Sequence, residues 1–143
     1  MDALNGLLYG LSVAFEFHNL GLLLAGCLLG TLVGVLPGLG PVGAISILLP
    51  LTFQLPPAGA IIMLAGIYNG AMYGGSTTSI LINVPGEAAS AVTCLDGYAM
   101  ARKGRAGTAL GIAVFGSFIA GTVGLIGLQL IGGPLSVLAL KFG

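Results

Sequence analysis

The chain has 143 residues, of which 57% are hydrophobic and only 6% are charged, and its formal net charge is zero. A soluble domain carries roughly a quarter charged residues, so this chain has too few to cover a surface that faces water. The zero net charge also argues against a nucleic-acid partner. Long uncharged segments in such a chain predict an all-α, polytopic integral membrane protein that resides in the lipid bilayer.

The N-terminal segment opens with Asp2 and lacks the basic residues that begin a secretory signal peptide. Residues 3–17 are mostly apolar but too short for a full span, and Glu16 and His18 lie at their end. We predict an interfacial helix over residues 3–17 that leads into the first membrane segment. His18, the single histidine, is interpreted as an end-group of this helix rather than as a proton relay.

A first apolar segment, residues 20–53, is longer than the about 20 residues of one upright span. It is interrupted at residues 36–41, Leu-Pro-Gly-Leu-Gly-Pro, where the prolines end a helix and the glycines permit unusual backbone angles. Before this break, Gly26, Gly30 and Gly34 recur every four residues. This spacing predicts a helix face that packs closely against another helix.

The second apolar segment, residues 58–91, repeats this pattern. Gly66, Gly70 and Gly74 form a second row of glycines, and the sequence from residue 75 to residue 86 predicts a second break. Helices that are interrupted by Gly and Pro at corresponding positions are typical of transporter binding sites. The fold is therefore predicted to contain broken or re-entrant helices.

Polar side chains gather around the second break, although residues 17–86 carry no charge. A broken helix leaves N–H and C=O groups unpaired, and such backbone is tolerated in a membrane where it lines a wet cavity. We predict half-helix starts at residues 38–40 and 74–77 whose N–H groups bind a carboxylate, and exposed carbonyls that hold a sodium ion. The candidate substrate- or ion-binding residues are Pro37, Gly38, Leu39, Gly40, Gly74, Gly75, Ser76, Thr77, Thr78, Asn83, Pro85 and Gly86.

Other kinds of site are disfavoured. The GxGxxG match at residues 38–43 lacks the acidic residue about 20 positions on that a dinucleotide site needs. No Ser-His-Asp set or carboxylate cluster occurs, so we predict a protein that is not an enzyme and holds no metal or cofactor, apart from sodium or a proton as coupling ion. Cys27 and Cys94 are interpreted as small apolar residues. Glu87 and Asp96 are interpreted as loop or cap residues, and a role of Glu87 in ion coupling stays open.

The C-terminal third begins with a predicted loop at residues 95–107, which holds three of the four basic side chains. The positive-inside rule places such a loop in the cytoplasm. Residues 108–131 then predict one full span, which ends at Gly132-Gly133-Pro134, and residues 134–143 begin a further element. We expect the chain to be the front portion of a longer protein, with residues 1–143 forming part of one permease domain.

Three stretches resemble the large membrane subunit of the tripartite tricarboxylate transporters. They are GTLVGVLPGLGPVGAISILLPLTF, LAGIYNGAMYGGSTTSILINVPGEAASAVTCLDGYAMARKGRAGTALG and the closing LALKFG. The resemblance covers nearly the whole chain from about residue 19, and blocks characteristic of that family match at residues 36–41, 73–78 and 83–87. Near the N-terminus, Phe17-His18 replaces a turn that usually carries proline in that family.

This resemblance implies a multi-pass protein of the bacterial inner membrane that imports tricarboxylates or related carboxylates down an ion gradient. Its implied partners are a small membrane subunit and a periplasmic substrate-binding protein. The alternative is a membrane scaffold or assembly subunit that does not transport, in which the glycine rows serve packing alone.

Overall fold

A computed structural model describes residues 3–139, with side chains over residues 5–128 and 131–132. Over this range the regular elements are helical, which confirms the predicted all-α class. The elements are α1 (Ala3–Ala14), α2 (Phe17–Gly34), α3 (Gly40–Leu48), a 3₁₀ turn (Leu49–Thr52), α4 (Pro57–Ile82), α5 (Ala91–Arg102) and α6 (Ala106–Ala139). The chain divides into two compact units, residues 1–110 and residues 111–143.

Two of the described helices are long and apolar enough to cross a membrane, namely α2 over Phe17–Gly34 and α6 over Ala106–Leu128. The 26 residues of α4 also extend about 39 Å at 1.5 Å per residue, which exceeds a hydrocarbon core of about 30 Å. The last turns of α4 carry several hydroxyl side chains. These helices agree with a membrane protein.

The first unit is built on the contact between α2 and α4. The glycine rows of the two helices face each other, so that a Cβ built on Gly66 would lie 2.6 Å from the carbonyl oxygen of Leu23, and one on Gly74 would lie 2.6 Å from that of Thr31. In the other direction, a Cβ on Gly30 would lie 2.7 Å from the Cα of Ile67. Backbone therefore packs directly against backbone, and the predicted packing role of the glycine rows is confirmed.

The small apolar core of this unit lies beside the glycine contact. Met63, Ile67 and Ala71 of α4 pack with Ala44 and Leu48 of α3, and all five are buried. Because α3 follows the first break, this packing holds the chain after the break against the same helix that leads into the second. The core thus positions both breaks relative to α4.

The predicted start of the second break is wrong. The sequence predicts a half-helix start at residues 74–77, but α4 continues through them without interruption and ends at Ile82. Gly74 and Gly75 are buried within the helix. Glycine is unfavourable in a helix interior by about 1 kcal/mol relative to alanine. Here the close approach of α2 to Gly74 requires the missing side chain, so tertiary packing overrides the local preference.

Two further boundaries differ from the prediction. Most of the expected loop at residues 95–107 is helical, because α5 extends over Ala91–Arg102 and only a short turn around Gly104 separates it from α6. The span predicted to end at residue 131 continues as α6 to Ala139. A proline is tolerated inside a membrane helix where other groups satisfy the freed carbonyl. The last residues of the element predicted over 134–143, residues 140–143, lie outside the described residues.

The N-terminal junction is held by one buried side chain. Helix α1 ends at Ala14, earlier than the predicted end at residue 17. The amide of Asn19 donates to the carbonyl oxygen of Val13 at 2.7 Å and to the carboxylate of Glu16 at 3.2 Å. Asn19 thereby ties the end of α1 to the first turn of α2. The interfacial position of α1 stays a prediction.

Candidate functional site

The first break is a tight turn between α2 and α3. Gly38 has a φ of +86° and Gly40 a φ of +58°, in the left-handed region that other residues adopt only at a cost. The turn places Gly40 at the start of α3, with Pro41 in the first turn. Proline is well suited to this position because the first N–H groups of a helix have no partner within the helix. The break predicted at residues 36–41 is thus present.

The second break begins at Asn83, the residue that follows α4. Its φ of 59° is left-handed, a conformation that asparagine tolerates better than most residues and that often ends a helix. The chain then turns back, so that Gly86 lies against α4. A Cβ on Gly75 would lie 3.4 Å from the Cα of Gly86, and one on Gly86 would lie 3.3 Å from the carbonyl oxygen of Gly34. Only glycine fits at position 86.

The two breaks are joined to each other. The backbone N–H of Gly38 donates to the carbonyl oxygen of Gly86 at 3.1 Å. Between the joined segments lies a pocket of about 480 Å³, to which we refer as the break pocket. Its lining residues come from the first break, the start of α3, the second break and the start of α5: Gly38, Leu39, Gly40, Pro41, Val42, Pro85, Gly86, Glu87, Ala88 and Ala91.

The first turn of α3 supplies a weak positive potential to the break pocket. Gly40, Pro41 and Val42 of this turn all line it. Unpaired N–H groups and the helix macrodipole make a helix N-terminus favourable for anions. Small lining residues also leave the backbone accessible. This end of α3 therefore favours an anion, but the N–H of Gly38, which was predicted to bind a carboxylate, donates to the carbonyl oxygen of Gly86.

Glu87 is the one ionisable residue among those that line the break pocket. Its backbone is fixed by Ser90, whose hydroxyl donates to the Glu87 carbonyl oxygen at 2.9 Å and accepts from the Glu87 N–H at 3.2 Å. The residue lies in the connection between α4 and α5, outside the helices that could cross a membrane. Burial raises the pKa of the Glu87 carboxyl above its ordinary value of 4.5, because removal from water disfavours the charged form.

The hydroxyl groups near the end of α4 are used within the helix. Ser76 donates to the carbonyl oxygen of Met72 at 3.1 Å, and Thr77 donates to that of Tyr73 at 2.9 Å. Thr78, which is buried, donates in the same way to Gly74 at 2.9 Å. These hydroxyl protons are not free for a carboxylate. The hydroxyl oxygens keep lone pairs, which suit a cation rather than an anion.

The structure brings only part of the predicted site together. The predicted residues that line the break pocket are Gly38, Leu39, Gly40, Pro85 and Gly86. Gly75 packs against Gly86, and Gly74 packs against α2. Both glycines therefore permit close backbone packing and do not line the pocket. The remaining predicted residues are not part of the lining: Pro37, Ser76, Thr77, Thr78 and Asn83. Whether any of these residues binds substrate or ion stays a prediction.

The site predicted from the sequence did not include Pro41, Val42, Ala88 or Ala91, and for Glu87 it left open only a role in ion coupling. The signal for Glu87 was its position directly after Pro85-Gly86. The other four have apolar side chains and contribute through their backbone and shape, which a single sequence does not reveal. In the described part of the chain, no group of three or more His, Cys, Asp or Glu residues is placed to hold a metal ion.

Comparison with known proteins gives one family and one similar protein. The model of the "Tripartite tricarboxylate transporter TctA family" matches residues 20–143. A protein of Agrobacterium vitis, described as "Uncharacterized 52.8 kDa protein in TAR-I ttuC' 3'region", is 56% identical over 143 residues. That alignment covers 100% of this chain but 28% of the relative, so the chain spans just over a quarter of the relative's length. No solved structure matches the chain significantly.

The family match includes both breaks, the glycine rows and the residues that line the break pocket. It confirms the resemblance inferred from residues 36–41, 73–78 and 83–87. Because this is a family of transporters, the prediction that the chain is not an enzyme is also confirmed. The chain belongs to the tripartite tricarboxylate transporter TctA family.

Proposed function

We propose that the chain is part of the translocation subunit of an ion-gradient-driven transporter, and that it imports tricarboxylates or related carboxylates. The subunit works in the bacterial inner membrane as a multi-pass protein. Its partners are a small membrane subunit and a periplasmic substrate-binding protein, as is usual for transporters of this type. Sodium or a proton is the coupling ion.

The observation that carries this proposal is the hydrogen bond between Gly38 and Gly86, which joins the two breaks around the break pocket. In membrane transporters, interrupted helices present backbone N–H and C=O groups to substrate and ion. The pocket has this character, since its lining is backbone-rich and the start of α3 favours an anion. A single carboxyl, Glu87, provides a group that can interact with a cation.

A scaffold subunit is the second candidate, in which the packing of α2 on α4 is structural and serves no translocation pathway. Gly26, Gly30 and Gly34 are buried against α4, and this contact would be needed in either role. A scaffold has no need for a lined pocket with left-handed glycines at its edge. The two candidates therefore differ in what a change at the pocket does when assembly is intact.

The test uses the complete transporter, with the small membrane subunit and the binding protein co-expressed. Gly40→Val should disturb the pocket because Gly40 has a φ of +58° and its Cβ would lie 3.6 Å from the Cβ of Glu87. We expect uptake of radiolabelled citrate to fall at least tenfold while the variant still co-purifies with the small subunit. The matched control is Gly21→Val on α2, which has no atom within 4 Å in the described structure.

Normal uptake by Gly40→Val, at a membrane level equal to that of the control, would argue against a translocation pathway at the break pocket. Loss of the small subunit from the purified complex would instead favour the scaffold role. Citrate is only one member of the proposed substrate class. Uptake is therefore judged absent only after a panel of di- and tricarboxylates has been tested.

A further inference from the structure

We propose that Glu87 is the proton-binding group of the break pocket, and that its protonation admits the carboxylate substrate and couples transport to a proton gradient. The inference rests on the proposed function, because it names the coupling group of the same pocket. It assigns to Glu87 a role in binding, whereas the other lining residues act through backbone and shape.

The position of Glu87 is the first argument. Its Cβ lies 3.6 Å from where a Cβ of Gly40 would be, and its Cγ lies 3.9 Å from where a Cβ of Gly75 would be. The side chain therefore lies between the start of α3 and the glycine-rich part of α4. It reaches this position because both neighbours lack side chains. Two hydrogen bonds with the Ser90 hydroxyl fix the backbone at its base.

The absence of a neutralising partner in the described residues is the second argument. Helix α3 contains no ionisable residue, and the titratable side chains of α4 are Tyr68 and Tyr73. Helix α5 carries Cys94, Asp96, Tyr98 and Arg102, and α2 carries His18 and Cys27. Glu87 is alone among the ionisable residues of the described pocket lining. Partial burial without a cation partner raises the pKa of the Glu87 carboxyl, so that it takes up a proton at a higher pH than an exposed glutamate does.

The chemistry of the substrate supplies the third argument. An ionised Glu87 would repel a carboxylate bound in the same pocket, because two negative charges a few ångströms apart repel each other. Protonation removes that repulsion and leaves an O–H group that can donate to the substrate. In the transport cycle, a proton from periplasmic water binds one carboxylate oxygen, the substrate enters, and the proton is released to cytoplasmic water after the substrate leaves.

A proton fits this pocket better than a sodium ion. Hard cations are held by several oxygen ligands, usually including more than one side chain or water. The lining side chains other than Glu87 belong to Gly, Leu, Pro, Val and Ala, which carry no oxygen. Backbone carbonyls would have to supply the rest of a sodium shell. One carboxyl is sufficient for a proton.

The test compares the wild-type transporter with Glu87→Gln in proteoliposomes that contain the complete complex. Glutamine keeps the shape and neutrality of protonated Glu87 but cannot release a proton. We expect Glu87→Gln to lose citrate accumulation driven by a pH gradient at least tenfold more than it loses citrate exchange across the membrane. Wild-type exchange should fall as pH rises through the pKa of Glu87, whereas exchange by the variant should lose this dependence. Comparing the wild type with the variant at each pH removes the effect of the titration of citrate itself, which is the same for both.

Asp96→Asn is the matched control, since Asp96 is an exposed carboxylate on α5 outside the pocket lining. It should leave accumulation and its pH profile unchanged. Accumulation by Glu87→Gln that is still driven by a pH gradient would overturn the inference, as would wild-type accumulation that requires a sodium gradient and is insensitive to a proton gradient. An equal loss of exchange and accumulation, with a lower melting temperature, would assign Glu87 a structural role at the start of α3 and would also overturn it.

These outcomes separate the inference from the proposed function on which it rests. If the wild-type complex transports no carboxylate from the panel, the proposed function fails and the inference fails with it. If the wild type transports citrate and Glu87→Gln behaves like the wild type, only the inference fails. Uptake that is retained but driven by sodium leaves the transporter role intact.

Discussion

The N–H of Gly38 donates to the carbonyl oxygen of Gly86 at 3.1 Å, and this bond joins two breaks that are far apart in the sequence. Gly86 lies in turn against Gly75 and near the carbonyl oxygen of Gly34. The turn after α2 and the turn after α4 therefore share one anchor. A movement of either break in a transport cycle must either carry the other with it or break this bond.

The first prediction concerns the backbone of Gly38. Its φ of +86° is costly for a residue with a Cβ, yet no atom lies within 4 Å of that Cβ position in the described structure. A substitution therefore tests conformation alone. Gly38→Val should reduce citrate uptake at least tenfold, since a left-handed conformation costs about 1–2 kcal/mol for ordinary residues and more for β-branched ones.

The matched variant is Gly38→Asn, because asparagine visits this region with less strain. It should retain most of the uptake at the same membrane level, measured by immunoblot. Equal activity of the Val and Asn variants would mean that the turn at residues 36–41 does not need its left-handed backbone.

The second prediction concerns the contact between α2 and α4. A Cβ at Gly30 would lie 2.7 Å from the Cα and 2.8 Å from the carbonyl carbon of Ile67, so the helices must separate to admit it. Inserting one carbon into a close-packed contact usually costs about 1–3 kcal/mol. Gly30→Ala should therefore lower the melting temperature of the purified complex in detergent by several degrees.

Gly21→Ala is the control on the same helix, because a Cβ there meets no atom within 4 Å in the described structure. Alanine is the better helix former by about 1 kcal/mol, so this variant should melt at the wild-type temperature or slightly above it. If the two variants melt alike, the α2–α4 contact is not as close as described.

The sequence was sufficient to predict the glycine contact and the first break. In an apolar helix, glycine at every fourth position lines one face, and the prolines and glycines of residues 36–41 end α2, although Gly132-Gly133-Pro134 does not end α6. Gly26, Gly30 and Gly34 therefore had one reasonable interpretation. Residues 36–41 likewise had one reasonable interpretation, a break in the helix. Both features depend on local geometry, which a single sequence contains.

The path of α4 and the place of Glu87 depend on tertiary contacts and were not predictable in the same way. Gly74 and Gly75 have low helix propensity, but α2 packs against one of them and Gly86 against the other. Hydroxyls such as that of Thr77 donate to carbonyl oxygens of the same helix, so they need no hydrogen-bond acceptor outside α4. Glu87 adjoins Gly40 only because the two breaks are joined. The sequence alone does not show that contact.

The third prediction addresses the hydroxyl groups of α4. The Thr77 hydroxyl already donates to the Tyr73 carbonyl oxygen at 2.9 Å, so its removal takes no free donor from a bound anion. Thr77→Val keeps the shape of the side chain. It should change the half-saturation concentration for citrate uptake by less than about threefold. Removing a donor to a charged partner would instead cost about 1.5–3 kcal/mol, or roughly a ten- to hundredfold change.

Ser117→Ala is the control, because Ser117 lies on the exposed surface of α6 and outside the pocket lining. A tenfold or larger rise for Thr77→Val alone would show that this hydroxyl turns to the substrate, in agreement with the place of Thr77 among the predicted binding residues. A change confined to the dependence on the coupling ion would assign the Thr77 oxygen to a cation.

The last prediction concerns the orientation of the chain in the membrane. Arg102, Lys103 and Arg105 are all exposed and lie around the turn between α5 and α6. Basic residues beside a span resist translocation and mark the cytoplasmic side. The turn should therefore face the cytoplasm, although most of the segment predicted as a loop is helical. A single cysteine near the turn can report its side.

Gly107→Cys is suited to this purpose, since position 107 is exposed and a Cβ there meets no atom within 4 Å in the described structure. The free thiols of Cys27 and Cys94 are first replaced by alanine to remove background labelling. A membrane-impermeant maleimide should label the introduced thiol only after the cells are opened. Labelling in intact spheroplasts would place the turn in the periplasm, and the inward release of protons proposed for Glu87 would then have to run from the opposite side.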